Sequence, residues 1–182
     1  IYNFINSNKQ NLGISLNWTA HDNSNELLSF YLLNKASNYN EFKKSFNSYV
    51  CPGQNFIYAD IDGNIAYFHS GKSPVKWYRQ GMFISDGSNP YYDWENYVPF
   101  EHRPYTINPN KGYLSSANQN PVDKNYPYYL SEYFAPSYRA TQINIRLDTL
   151  YNATIEHMQN IQLDNTYLFA KYTLPKLLEL IN

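Results

Sequence analysis

One cysteine, Cys51, stands in 182 residues, which excludes an internal disulfide and leaves the redox compartment open. Neither charge is in excess. The formal net charge is −1 and no basic stripe runs along any segment, so nucleic acid is not expected as a partner. No apolar run approaches the length that a membrane-crossing helix needs, and no membrane partner is expected either. The sequence begins at Ile1, without a Met, signal peptide or transit segment, and reads as a processed chain or an excised piece of a longer one. Internal repeats and flexible linkers are also missing. What is present, 43% hydrophobic against 16% charged residues, is the balance of a globular chain, with residues 1–182 expected to form one domain around one core. Tyr (20), Phe (10) and Trp (3) are abundant, and aromatics in such numbers fill cores or line pockets for apolar ligands.

The chain is organised around residues 54–71. Phe56, Ile57 and Tyr58 face Ile65, Tyr67 and Phe68 across Asp62-Gly63-Asn64, and Asp-Gly is the pair that type I′ turns favour. A tight β-hairpin is expected, apolar on nearly every position and hence covered on both faces, at the centre of a layered α+β domain. Residues 1–13 are Asn-rich and weakly patterned, and frayed structure is expected there. Residues 14–19 alternate apolar and polar, which predicts a strand. Asp22 to Glu26 is cap material for a helix carrying Leu27, Leu28, Tyr31, Leu32 and Ala36. Asn38 with Glu41 resembles a capping box for a second helix, along which Phe42, Phe46 and Tyr49 form a stripe. Residues 72–109 form a long aromatic, Pro-containing excursion, packed by side chains rather than disordered. A short strand is expected at 112–117, ending in a polar turn at 118–121. Three helices follow, capped near Ser137, Thr154 and Asp164, and Pro175 should kink the last.

The candidate chemistry is sparse. His21, His69, His102 and His157 lack metal-ligand spacing, and no metal site is expected. Asp60 and Asp62 share a strand face, but Asp62 is needed for the turn, so a structural role leads over a carboxylate pair. Cys51 precedes Pro-Gly without a His or Asn in a recognisable relation to it, which makes it an unlikely nucleophile. The sequons at Asn17 and Asn152 are chance matches in an Asn-rich chain. Two sets survive. Gln54-Asn55 at the start of the hairpin can converge with Phe30 and Tyr31 of the first helix on an apolar pocket. Asn118, at the expected strand end, can donate to a developing oxyanion, and Arg139 at a helix start can orient it or a substrate carboxylate. On spacing alone, an Asn that holds a turn and an Arg in a salt bridge are favoured.

The segments Asn38-Tyr39-Asn40-Glu41-Phe42, Gln54 to Ile65, Asp93-Trp94, Tyr97-Val98-Pro99-Phe100, Asn108 to Tyr113, Ala117-Asn118 and Arg139-Ala140 come in the order of the penicillin acylase family. From about Leu16 to the C-terminus the chain resembles the middle of that family's large (β) subunit. The resemblance implies an N-terminal-nucleophile hydrolase, an αββα sandwich with a central antiparallel hairpin and flanking helices. In such enzymes precursor cleavage exposes a Ser, Thr or Cys whose own α-amine is the base, and the acyl group passes through an ester to water. By position, Asn118 matches the oxyanion Asn and Arg139 the Arg beside the active site. Phe30 and Gln54 match positions lining the acyl pocket. Ile1 is no nucleophile, so none is expected within this chain. Leu130, with Glu132 nearby, stands where some members carry a calcium-binding Asp, so no cofactor is expected. The partners implied are a small N-acyl amide and the remaining segments of the same precursor, its α subunit and the rest of β. The location implied is periplasmic or secreted. The polypeptide alone should be inactive.

A reading of another class keeps the fold and discards the catalysis. In it Trp77, Tyr78, Tyr91, Tyr92, Trp94 and Tyr97 bind a sugar or peptide. Neither reading fixes the substrate, whether a β-lactam side chain, an acyl-homoserine lactone or another N-acyl compound.

Overall fold

The structure, a computed structural model, describes residues 13–181, so the stretch 1–12 lies outside the described residues. Helix α1 (Glu26–Leu33) starts where Asn25 Oδ1 accepts the backbone N–H of Leu28 at 2.9 Å. Helix α2 (Tyr39–Ser45) starts likewise on Asn38, whose Oδ1 accepts the Glu41 N–H at 3.0 Å. The Glu41 carboxylate reaches one residue further back than a capping box requires, to the N–H and hydroxyl of Ser37. Strands β1 (Gln54–Ala59), β2 (Ile65–Ser70) and β3 (Tyr105–Ile107) form an antiparallel sheet in that order, with β2 in the middle. Helices α3 (Tyr138–Asp148), α4 (Ile155–Gln162) and α5 (Leu168–Ile181) complete the chain. α5 runs unbroken through Pro175.

The register decides which face does what. Phe56 pairs with Phe68, so these two point to one side of the sheet, where Phe42, Phe46 and Tyr49 of the α2 region meet them. The alternate residues, Asn55 and Ile57 of β1 with Tyr67 and His69 of β2, point to the other. The hydrophobic face is closed by aromatic packing. The opposite one is open at β1, where Ile57 is 53% exposed, contrary to the expectation of a hairpin covered on both faces.

The hairpin is also not the tight one expected. Gly63 alone takes a positive φ, of 83°, and the Gly63 N–H donates to Asp60 O. A type I′ turn needs two such residues, so Asp60 to Gly63 forms an ordinary turn with a left-handed glycine after it. Asp60 decides this. Its carboxylate accepts from the N–H groups of Asp62 and Asn64, the Asn64 amide and the Tyr58 hydroxyl. These bonds, Asn64 first, hold it below the usual carboxylate range. The role is structural, as expected, but the Asp60 carboxylate plays it, and Asp62 contributes its backbone N–H.

Two expected strands are absent. Residues 14–18 are irregular and lead into a 3₁₀ turn at Thr19–His21, and residues 113–116 have no strand pairing. Alternation selects a face but does not supply a neighbour with free N–H and C=O groups. β3, which the excursion conceals in sequence, does find such a neighbour in β2.

Glu26 ties the first helix to the hairpin. Its Oε2 accepts from the Ser24 hydroxyl and its Oε1 from the N–H groups of Val50 and Cys51, both at 3.1 Å. The Ser24 bond and then these backbone donors, outweighing partial burial, hold its carboxyl down at about 2. Since the folded value is depressed, the stability from these bonds is full above the ordinary 4.5 and is lost as pH falls through about 2. Glu26→Gln should therefore flatten the acid limb of a Tm-versus-pH curve. An unchanged slope below pH 4.5 would show that the bonds are not formed in solution.

Candidate active site

Past the open face of the hairpin, residues 113–121 run back over the ends of β1 and β2. Between them lies a cleft of about 600 Å³, whose lining includes Gln54, Asn55, His69, Ser116, Asn118 and Phe134. Asn118 sits in a bend rather than at a strand end, with a φ of 63° that Asn tolerates better than most residues. Its backbone carbonyl accepts from the Ala135 N–H at 2.8 Å.

Arg139, in the first turn of α3, reaches back to this bend. Its Nη2 donates to Ala117 O at 2.9 Å and to Asn118 Oδ1 at 2.7 Å. An arginine can only donate, so the Asn118 carboxamide presents its oxygen to Arg139 and turns its NH₂ group away. The amide is thereby left with two N–H bonds to give, at the rim of a cleft. Positioned donors of this kind stabilise negative charge that develops on a substrate oxygen.

Gln54 lines the same cleft, whereas Phe30 does not. Phe30 packs edge-on against Tyr49, ring centroids 6.0 Å apart, and is 44% exposed. Three of the four expected site residues thus come together and the fourth stands apart.

Of the floor of the cleft, the sequence pointed to Asn55 but not to its partners. Asn55 Oδ1 accepts the Tyr67 hydroxyl and faces His69 Nδ1, both at 2.7 Å, while its Nδ2 donates to Ser116 Oγ at 2.8 Å. Burial pushes the Tyr67 phenol up to about 12, so it stays a donor. Burial, then the nearby Arg103 charge, lowers the His69 imidazole and keeps it neutral at pH 7. With the proton on Nδ1, its Nε2 is a free acceptor. The usable clue was the pairing of Asn55 with His69, which follows once the register is known. The remaining histidines serve elsewhere: His102 Nδ1 meets the Tyr128 hydroxyl at 2.6 Å, and His157 completes a capping box with Thr154. Among the described residues no three His, Cys, Asp or Glu side chains gather as a metal site would need. The hydroxyls near the cleft are engaged. Ser115 Oγ donates to Asn144 and Ser116 Oγ accepts from Asn55, and among the described residues neither is hydrogen-bonded to a histidine or a carboxylate.

This architecture matches that of a thermostable penicillin G acylase from Alcaligenes faecalis, with a TM-score of 0.62 over 74% of this chain and 24% of that one, at 21% identity. The fold shared with it is α+β. The chain belongs to the penicillin amidase family, which its residues 3–182 match. It is 36% identical to the penicillin G acylase of Escherichia coli over 73 residues, 40% of this chain and 8% of that protein. It is 27% identical to the acyl-homoserine lactone acylase QuiP of Pseudomonas syringae pv. syringae over 162 residues, 87% of this chain and 19% of that protein. A penicillin acylase 2 proenzyme of Pseudomonas sp. (strain SE83) is 29% identical over 93 residues, 51% of this chain and 12% of that protein. The chain thus spans less than a quarter of the length of each.

Proposed function

We propose that these residues form the oxyanion and acyl-pocket half of an enzyme that hydrolyses linear N-acyl amides. The observation that carries this is the 2.7 Å bond from Arg139 to Asn118 Oδ1, which leaves the Asn118 NH₂, at the rim of the cleft, without a partner among the described residues. In the reaction a hydroxyl or thiol from another segment of the same precursor attacks the amide carbon. The electron pair moves to the carbonyl oxygen, where Asn118 Nδ2–H stabilises it. Collapse expels the protonated amine, and water then releases the acid from the acyl-enzyme. Arg139 touches no reacting atom and acts through Asn118. Alone, the 182-residue polypeptide turns over nothing, because among the described residues neither cleft serine is hydrogen-bonded to a base. Calcium has no part in this reading: Leu130 offers no carboxylate where the resemblance places an Asp ligand.

The aromatic excursion supports binding less well. Trp77 stacks on Tyr91, ring centroids 6.1 Å apart, and the pair closes with Tyr92 around the buried Gln80, whose Nε2 donates to Tyr92 O. Stacking takes one face of each ring, while Trp77 stays 41% and Tyr91 67% exposed. Amine release from phenylacetyl amides and acyl-homoserine lactones by the complete, processed protein tests the proposal. Silence across such a panel, together with saturable binding of an oligosaccharide or peptide, would hand the case to the binding module.

Within this reading Gln54, which lines the cleft, governs acyl choice more than rate, and Phe30, which packs on Tyr49 outside it, does not. Gln54→Ala should move preference toward bulkier acyl groups, since one methylene in such a pocket is worth roughly 1–3 kcal/mol. A uniform loss across all acyl lengths would instead assign Gln54 a structural role.

A further inference from the structure

Beside the cleft lies a second concavity of about 310 Å³, and the two share His69, Pro121 and Phe134 as a common wall. Its lining combines the indoles of Trp18 and Trp94 with two lysines, Lys72 and Lys76, and includes no carboxylate. The two cations are not equivalent. Lys72 Nζ is neutralised by Asp22 at 3.2 Å, and Tyr97 donates its hydroxyl to the same carboxylate oxygen at 2.9 Å. Lys76 is half-buried, lies over the Tyr129 ring at 5.4 Å, and has no hydrogen-bond or carboxylate partner among the described residues. Burial pushes its ammonium below the usual lysine range. A half-desolvated ammonium without a counter-ion is costly, and the cost is recovered only when an anion arrives.

We infer that this pocket receives the amine half of the substrate and that Lys76 binds a carboxylate on it. The inference rests on the amidase reading, in which Gln54 faces the acyl half. The far side of the shared His69–Phe134 wall is then left for the leaving group. Apolar walls carrying one uncompensated cation suit an N-acyl amino acid, or another amide with an acid group on its amine, and disfavour a neutral lactone. The neutral His69, with Nε2 unoccupied in the dividing wall, adds an acceptor between the two sites without competing for the anion.

The test uses the complete processed enzyme and two substrates with one acyl group and one scissile bond, N-phenylacetylglycine and N-phenylacetylglycinamide. The acid should be preferred in kcat/KM by about tenfold, the size expected of a charge-assisted contact in a partly dry site. Lys76→Met should bring that ratio close to one, and Lys76→Arg should restore part of it. Because the ratio is internal to each variant, a loss of folded enzyme cannot imitate the result. Turnover with equal rates for acid and amide, or a preference that survives Lys76→Met, overturns the pocket and leaves the amidase reading standing. Quenching of Trp fluorescence supplies the second readout. Charge-selective binding that disappears in Lys76→Met, without turnover of either compound, supports the pocket and removes the amidase. Neither turnover nor charge-selective quenching ends both.

Discussion

Asn118→Ala in the complete enzyme should lower kcat by about 10²–10³ while KM stays nearly unchanged. In the proposed reaction the Asn118 N–H groups meet an oxygen that is charged only in the transition state, so their loss falls on the chemical step and hardly on binding. The backbone complicates the choice of variant. At a φ of 63°, alanine costs roughly 1–2 kcal/mol where asparagine is tolerated, so some loss in Tm accompanies the substitution. Asn118→Gly removes the amide without that strain and should reproduce the kcat defect with a smaller change in Tm. Arg139→Lys keeps the charge but lacks the planar group that now reaches both Ala117 O and Asn118 Oδ1. A partial kcat defect there would show that the orientation of the amide matters. If Asn118 merely holds the bend, both Asn118 variants will melt early and work normally, and such an outcome ends the catalytic assignment.

Phe46→Ala should cost about 3–5 kcal/mol of unfolding free energy. The side chain is 1% exposed, and its ring centroid lies 4.4 Å from that of Phe56, 5.4 Å from Phe68 and 5.2 Å from Phe42. Rings from both strands and the α2 region close over it, so the void left behind has no flexible neighbour to fill it. Urea unfolding of the complete protein, followed by near-UV circular dichroism, measures the loss. A change below about 1.5 kcal/mol would mean that the two strands and α2 close without this ring.

What the sequence revealed, and what it withheld, divides by distance along the chain. The caps of α1 and α2, the hydrophobic stripe through Phe42 and Phe46 and the existence of the hairpin are local features. They follow from residues within a turn or two of one another. The type of turn did not follow, because the Asp60 carboxylate, not the Asp62-Gly63 pair, sets the loop. The strands expected at 14–19 and 112–117 fail and β3 appears because pairing depends on which edge is free, which no local pattern records. The site behaves in the same way. Asn118 and Arg139 stand 21 residues apart and spacing alone favoured separate, structural roles, yet the fold brings their side chains to 2.7 Å. Phe30 and Gln54, grouped in sequence as pocket formers, occupy different places.

Asn55 is joined to three partners on two parts of the chain: Tyr67 and His69 on β2, and Ser116 on the returning segment two residues before Asn118. Asn118 therefore cannot drift independently of the central strand. Thermal opening at the rim has to break the same bonds as opening at the sheet, so the two form one cooperative unit. In hydrogen exchange, the amides of Tyr67 to His69 and that of Ala117, which donates to Gln119 Oε1 at 2.6 Å, then share a single opening free energy. A label appearing early at Ala117 and late at the central strand would show that the bend opens by itself.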